Sequence, residues 1–391
     1  MRNDEWKIWP YSGVFFFFWL ASNILVPYLG IFYEEKGFSD GQIGILSGIF
    51  QFTTVVAAFL GGWIVDYFKK SGKFITLLVV GMILSSGLLY IGRSMLFTGC
   101  VVVLFSFCYA PVNGITDKAV MERVKERQEL YSLARSKGTL GAGIGIIIAA
   151  LLIEQADYFP IIMGFVLAIL PCVFFSQYFV NKKTIETVLS FADIKSILKN
   201  RYLFAIYGGI AIWGMAESGV GVFQALLIQN AGYSIKLTSL FIAVAMIGEY
   251  IGFLVLPWLK KCFLLSKILV IAFALQALRI WSLGSIGIIP VKWIVFFQFT
   301  GGASFALMYS VMTILIDRQF EEKMLYIAHS LKAVMNNGVG NALGLLLLGC
   351  LFGRGNERIA YWFIATGPVL MIFYLILGYD MFDEGRHKYG N

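Results

Sequence analysis

The sequence predicts an all-α membrane protein of twelve transmembrane helices in two pseudo-symmetric six-helix halves. Three observations carry that prediction. The first is composition: of 391 residues, 59% are hydrophobic and 14% charged, and the mean hydropathy is +0.79. A soluble domain carries roughly a quarter charged residues. The second is that apolar runs recur along the whole chain, each near the roughly 20 residues a helix needs to cross the hydrocarbon layer. The third is how lysine and arginine fall between those runs.

The runs read as spans at about 11–33, 43–65, 74–92, 95–118, 136–153, 158–180, 203–229, 239–259, 266–289, 293–316, 327–352 and 358–379. With the N-terminus inside, the inner segments hold twenty-four Lys and Arg and the outer loops six: Lys36, Arg93, Lys236, Lys292, Arg354 and Arg358. This bias places both termini in the cytoplasm and supports an even number of spans. The net charge of +8 is therefore a topology signal rather than a nucleic-acid signal. The expected location is the cell membrane, inner or plasma, with the lipid bilayer as partner and a single chain as the working unit.

The five cysteines, Cys100, Cys108, Cys172, Cys262 and Cys350, lie in or beside apolar runs without metal-ligand or redox spacing. No metal site or disulfide framework is expected. "MRNDEWKIW" leads into a Phe-rich run with no small-residue cleavage site, so the first span is read as retained.

Residues 1–180 and 203–391 form the two halves. The segment 181–202, "NKKTIETVLSFADIKSILKNRY", places Val188, Phe191, Ile194, Ile197 and Leu198 at helical spacing between lysines. It reads as an amphipathic helix on the inner membrane face, or as a plain solvated linker. The halves align at an offset of 195: Gly37-Phe38-Ser39 matches Gly232-Tyr233-Ser234, and Trp63 matches Trp258. Two related halves suit a transporter.

Charges within spans are costly and point to function. Asp117, Glu217 and Glu249 are the acids; Arg135, Arg279 and Lys332 are the bases. Glu249 and Arg279 lie ten and thirteen residues in from a shared inner loop, at similar depth, and are placed to pair. Asp117 and Arg135 flank another inner loop and are also placed to meet. Glu217 has no obvious partner, and Lys332 reads as a structural lysine snorkelling to the inner surface. A carboxylate without a cation in low dielectric holds its proton, and one beside a cation releases it. A group alternating between those states couples protons to transport, so Glu249, Glu217 and Asp117 are the coupling candidates. A structural ion pair is the competing reading for each.

The run "FFFFWLASNILVPYLGIFYEEKGFSDGQIGILSG", with "GGWIVDYFKKSGK" after it, resembles the start of a major facilitator superfamily transporter. Within that superfamily it resembles the branch of lactose permease and the phenylpropionate permeases. The resemblance implies a cytoplasmic gate at Gly62, Asp66, Lys69 and Lys70, where the aspartate caps a neighbouring helix. "YSLARSKGTLG" puts Arg135, "IGEY" puts Glu249 and "ALRIW" puts Arg279 on charged family positions that bind substrate and handle the proton. Asp117, eighteen residues before Arg135, stands at the spacing of the family's helix 4 glutamate.

The tenth span departs from the pattern: Gly301 and Ser304 replace the family's histidine and proton-carrying glutamate, and Tyr309 a nearby histidine. Ala142 stands where an indole would stack on a galactoside, which argues against lactose. Further candidates for a substrate cavity are Asn23, Gln51, Asn113, Gln224, Gln298 and Asn337, with Trp19, Trp213 and Trp281 as stacking faces. Gly141 and Gly145, Gly248 and Gly252, and Gly340 and Gly344 carry the GxxxG spacing of closely packed helices.

The expected function is proton-coupled uptake of a small polar organic solute by alternating access: a sugar or oligosaccharide, a nucleoside or an aromatic carboxylate. The alternative is a proton-antiport exporter of drugs or metabolites on the same fold. No cofactor beyond the proton gradient is implied. An enzyme is disfavoured because no metal-ligand cluster or nucleophile motif is present, and no P-loop suggests ATP drive.

Overall fold

A computed structural model describes residues 8–68, 71–124, 128–153, 158–179, 201–319, 328, 331–352 and 356–377. Twelve helical segments follow one another: α1 (Trp9–Glu35), α2 (Asp40–Phe68), α3 (Ser71–Ile91), α4 (Met95–Val124), α5 (Gln128–Leu152), α6 (Phe159–Ser176), α7 (Tyr202–Asn230), α8 (Lys236–Cys262), α9 (Leu265–Gly284), α10 (Val291–Asp317), α11 (Leu331–Phe352) and α12 (Glu357–Leu377). Eleven of these, all but α2, meet the length and apolarity of a membrane span among the described residues. Among the described residues each predicted span overlaps a helix, the ninth ending at Gly284 rather than at 289.

The chain divides into two compact units. One comprises Met1–Phe38 and Ile49–Thr187, the other Ser39–Gly48 and Val188–Asn391. Of the amphipathic linker expected at 181–202, residues 181–200 lie outside the described residues.

The fifth span differs from expectation. Hydropathy places it at 136–153, but α5 starts at Gln128. Its first turns are polar, so hydropathy alone does not see them, yet nothing in Gln128–Lys137 breaks a helix. Arg135 therefore sits two turns inside α5 rather than at its lip. Likewise α4 continues past Asp117 to Val124.

The faint internal repeat is sharp in the backbone. Gly37 and Gly232 both adopt positive φ, 81° and 78°. Each closes its helix in the same way: Gly37 N–H donates to Glu34 O and Phe38 N–H to Tyr33 O, while Gly232 N–H donates to Gln229 O and Tyr233 N–H to Ile228 O. This is the double hydrogen bond of a left-handed helix cap, which glycine adopts without strain. The next residues, Ser39 and Ser234, then begin the following helices: Ser39 caps α2, its Oγ accepting from Gln42 N–H, and Ser234 Oγ accepts from Lys236 N–H at the start of α8.

The first and seventh spans are also both interrupted, at equivalent places. α1 narrows to a 3-10 turn at Val26–Tyr28, where Pro27 removes a backbone donor. α7 breaks after Ser218 and resumes at Val222. The freed Gly219 carbonyl accepts from the Tyr361 hydroxyl at 2.5 Å, so the break is stabilised from α12.

Helix packing repeats as well. In the first unit a Cβ on Gly141 or Gly145 of α5 would overlap the carbonyls of Phe16 or Leu20 on α1. In the second unit Gly340 and Gly344 of α11 stand in the same relation to Ala211 and Met215 on α7. The carbonyls touched are again 195 residues apart. Within the second unit Gly248 and Gly252 of α8 lie against Phe299 and Ala303 of α10, and Gly302 of α10 answers them against Ala245. Backbone contact of this kind replaces the hydrophobic driving force that helices in lipid lack. Val334–Asn341 of α11 forms a π-helical stretch, a wide turn often found at functional positions.

Candidate functional site

The second unit contains a buried polar cluster built from α7, α9 and α10. Arg279, mid-span on α9, is 4% exposed. Its Nη1 lies 3.3 Å from both Oε1 and Oε2 of Glu217 on α7. Its Nε donates to Gln298 Oε1 at 2.9 Å. Gln276, one turn before Arg279, donates through Nε2 to Glu217 Oε2 at 2.8 Å. Ser304 Oγ lies 3.5 Å from Gln276 Oε1 and also donates to Gly301 O at 2.7 Å. A buried charge pair holds together only when its remaining lone pairs and protons are satisfied. Gln276 and Gln298 supply those contacts here.

Gly301 explains why the tenth span lacks a larger residue at that position. A Cβ there would overlap Arg279 Cδ. The arginine side chain occupies the volume that a side chain on α10 would otherwise fill.

The pairing differs from the sequence expectation. Glu249 and Arg279 were placed together on depth, but the partner of Arg279 is Glu217. Depth along two helices does not set their rotation. α8 packs along α10, whereas α9 packs against α10 and α12, and Arg279 passes over Gly301 towards α7. Glu249 is half-buried on α8 and has no ion-pair partner among the described residues. The charges of Glu217 and Arg279 both reach it through space.

In the first unit Asp117 and Arg135 do meet, Nη1 to Oδ1 at 3.7 Å, with side chains 31% and 39% exposed. Arg135 Nη1 also donates to Asn113 Oδ1 at 3.2 Å. The guanidinium lies over the rings of Phe15 and Trp19, with centroids at 5.1 and 5.6 Å. Gly138 leaves room for Trp19, since a Cβ there would come within 2.7 Å of the indole. Arg135 is thus held on four sides: a carboxylate, an amide oxygen and two aromatic faces.

The other candidates scatter. Asn23 spends its Nδ2 on its own helix, donating to Trp19 O at 2.9 Å. Gln51 is half-buried on α2. Asn337 is exposed in the π-helical stretch and accepts from Asn336 Nδ2. Gln224 does not line an open cavity: it is 0% exposed and enclosed within the second unit. Trp213 is enclosed too, edge-on to Phe273 at 5.5 Å, and offers no stacking face. Gly62 and Asp66 lie on α2, but their side chains, and Lys69 and Lys70 altogether, are outside the described residues.

Gln276 is a site residue beyond those the sequence points to. Its signal was there: it lies three residues before an intramembrane arginine, on the same helix face.

Residues 8–363 match the MFS_1 like family. No curated protein sequence matches the chain. Among solved structures, the nucleoside transporter NupG superposes with a TM-score of 0.83 at 15% identity, over 96% of this chain and 99% of that one. A peptide transporter POT in complex with sulfate gives 0.77 at 12% identity, over 97% and 95%. The xylose transporter XylE from E. coli, in an inward-open conformation, gives 0.67 at 12% identity, over 94% of each chain. These likenesses show a common fold. The chain belongs to the MFS_1 like family.

Proposed function

We propose that this member of the MFS_1 like family is a secondary active transporter that takes up a small polar organic solute together with protons, by alternating access. It works as a single chain in the cell membrane, with both termini in the cytoplasm. The observation that carries this reading is the division of labour among three charges of the second unit. Arg279 and Glu217 satisfy each other, backed by Gln276 and Gln298. Glu249 is left as the acid within electrostatic reach of both.

Such an acid can take up and release a proton as the pair beside it opens and closes. With a proton on Glu249, the Glu217–Arg279 pair is balanced. Without it, Glu249 competes with Glu217 for the same guanidinium. A solute that engages Arg279 alters that competition, so solute and proton become linked through one arginine. Arg135 gives the first unit its own polar anchor, held by Asp117 and Asn113. The charges of the two sets nearly cancel, three acids against two arginines. That balance favours a neutral polyol such as a sugar or nucleoside, or a small carboxylate. Nucleoside, xylose and peptide transporters share the fold.

The test is proton movement in reconstituted liposomes. Sugars, nucleosides, aryl carboxylates and peptides are added in turn to wild type and to Glu249→Gln. A solute-dependent proton influx in wild type that the variant lacks is the expected result. Proton efflux on adding solute would favour an exporter instead.

A further inference from the structure

Lys332 does not snorkel. It is 8% exposed, at the start of α11 just before the π-helical stretch. Its Nζ donates to Thr313 Oγ1 at 2.8 Å and stands 3.6 Å above the ring centroid of Tyr309. The Thr313 hydroxyl in turn donates to Tyr309 O at 2.7 Å, which leaves its oxygen lone pairs to accept from the lysine. Phe305 stacks on Tyr309 at 5.6 Å and supports that ring from the next turn.

Phe305, Tyr309 and Thr313 recur at every fourth position, so they form one stripe along α10. Along it lie an aromatic face and an oxygen acceptor. Those are groups that hold a desolvated cation: the ring quadrupole and an oxygen lone pair. The cation in place is the protein's own.

We propose that this stripe of α10 is a monovalent-cation site that the Lys332 ammonium fills as a tethered ligand, and that the vacated site takes ammonium or a small alkylammonium ion. Lys332 makes the second unit independent of a loose cation at this position. The site is distinct from the Glu217–Arg279 cluster and does not depend on which solute is carried.

The experiment uses purified full-length Lys332→Ala, melted in equal concentrations of ammonium, methylammonium, sodium and N-methylglucamine chlorides. Wild type should show the same Tm in all four. The variant should melt several degrees higher in ammonium and methylammonium than in N-methylglucamine, because a ligand of the folded state stabilises it by mass action. That gain should vanish in Lys332→Ala/Tyr309→Leu. Equal melting of Lys332→Ala in all four salts would overturn the proposal, as would a gain that survives loss of the Tyr309 ring. Should Lys332→Ala yield no folded protein, the amine itself is the probe. Reductive methylation of Lys332, read by mass spectrometry, should rise severalfold in Tyr309→Leu and in Thr313→Val. Unchanged labelling would show that ring and hydroxyl do not hold the ammonium.

Discussion

Arg279 reaches Glu217 by passing over Gly301, where any side chain on α10 would overlap its Cδ. Gly301→Val should therefore displace the guanidinium and reduce transport about as far as Arg279→Ala does. Overpacking a filled site also costs about 1–3 kcal/mol of stability. Uptake assays and thermal melts of the two variants, side by side, check both halves of the statement. Normal uptake by Gly301→Val would show that the crossing is not needed.

Glu217 and Arg279 should depend on each other more than either depends on its amide partner. Removing one member of a buried pair leaves an uncompensated charge, at a cost of about 3–5 kcal/mol. The double variant Glu217→Gln/Arg279→Gln should recover much of the stability that Arg279→Gln alone loses. A double-mutant cycle on unfolding free energies measures the coupling. Additive losses would contradict the pairing.

The two helix caps make a matched prediction. Gly37→Ala and Gly232→Ala each place a Cβ on a residue at positive φ, where an L side chain is strained by roughly 1–2 kcal/mol. Neither glycine has a neighbour within reach of the added Cβ, so the losses should be equal and purely conformational. Melting curves of the two variants test the equivalence of the repeats. Unequal losses would point to different local environments.

Asp40, just outside the span read at 43–65, offers a pH test. Burial holds its carboxyl above the ordinary carboxylate range, and repulsion from Glu357 adds to the effect. The folded protein thus binds that proton more tightly than the unfolded chain. Stability from this group is present at low pH and is lost as pH rises through the raised value. Asp40→Asn should flatten the decline in Tm as pH rises above the ordinary carboxylate range and be the more stable form once wild-type Asp40 is ionised. A variant with the same pH profile as wild type would exclude this assignment.

Much of this structure was legible in the sequence, for identifiable reasons. Span lengths and the lysine–arginine bias are one-dimensional signals, and each predicted span overlaps a helix. Asp117 and Arg135 were paired correctly because both flank the same inner loop, at the ends of consecutive spans. Glu249 and Arg279 were not, because residue counting gives depth and leaves helix rotation open. The rotation is set by Gly301 and by the glycine contacts of α8 on α10, and a glycine in a sequence does not say which neighbour it admits. Lys332 was read as snorkelling because nothing local shows that Tyr309 and Thr313, on another helix, will be under its ammonium. The polar start of α5 was missed because apolarity and helicity are different properties.

The most direct measurement compares two transport modes of Glu249→Gln in the same vesicles. Once a transported solute is known, one mode is accumulation driven by a proton gradient, and the other is exchange of labelled for unlabelled solute with no gradient. If Glu249 carries the proton, the variant should lose accumulation and keep exchange, since binding and alternation no longer involve a titrating group at that position. Accumulation at the wild-type level would contradict the central claim and move coupling to Glu217 or Asp117.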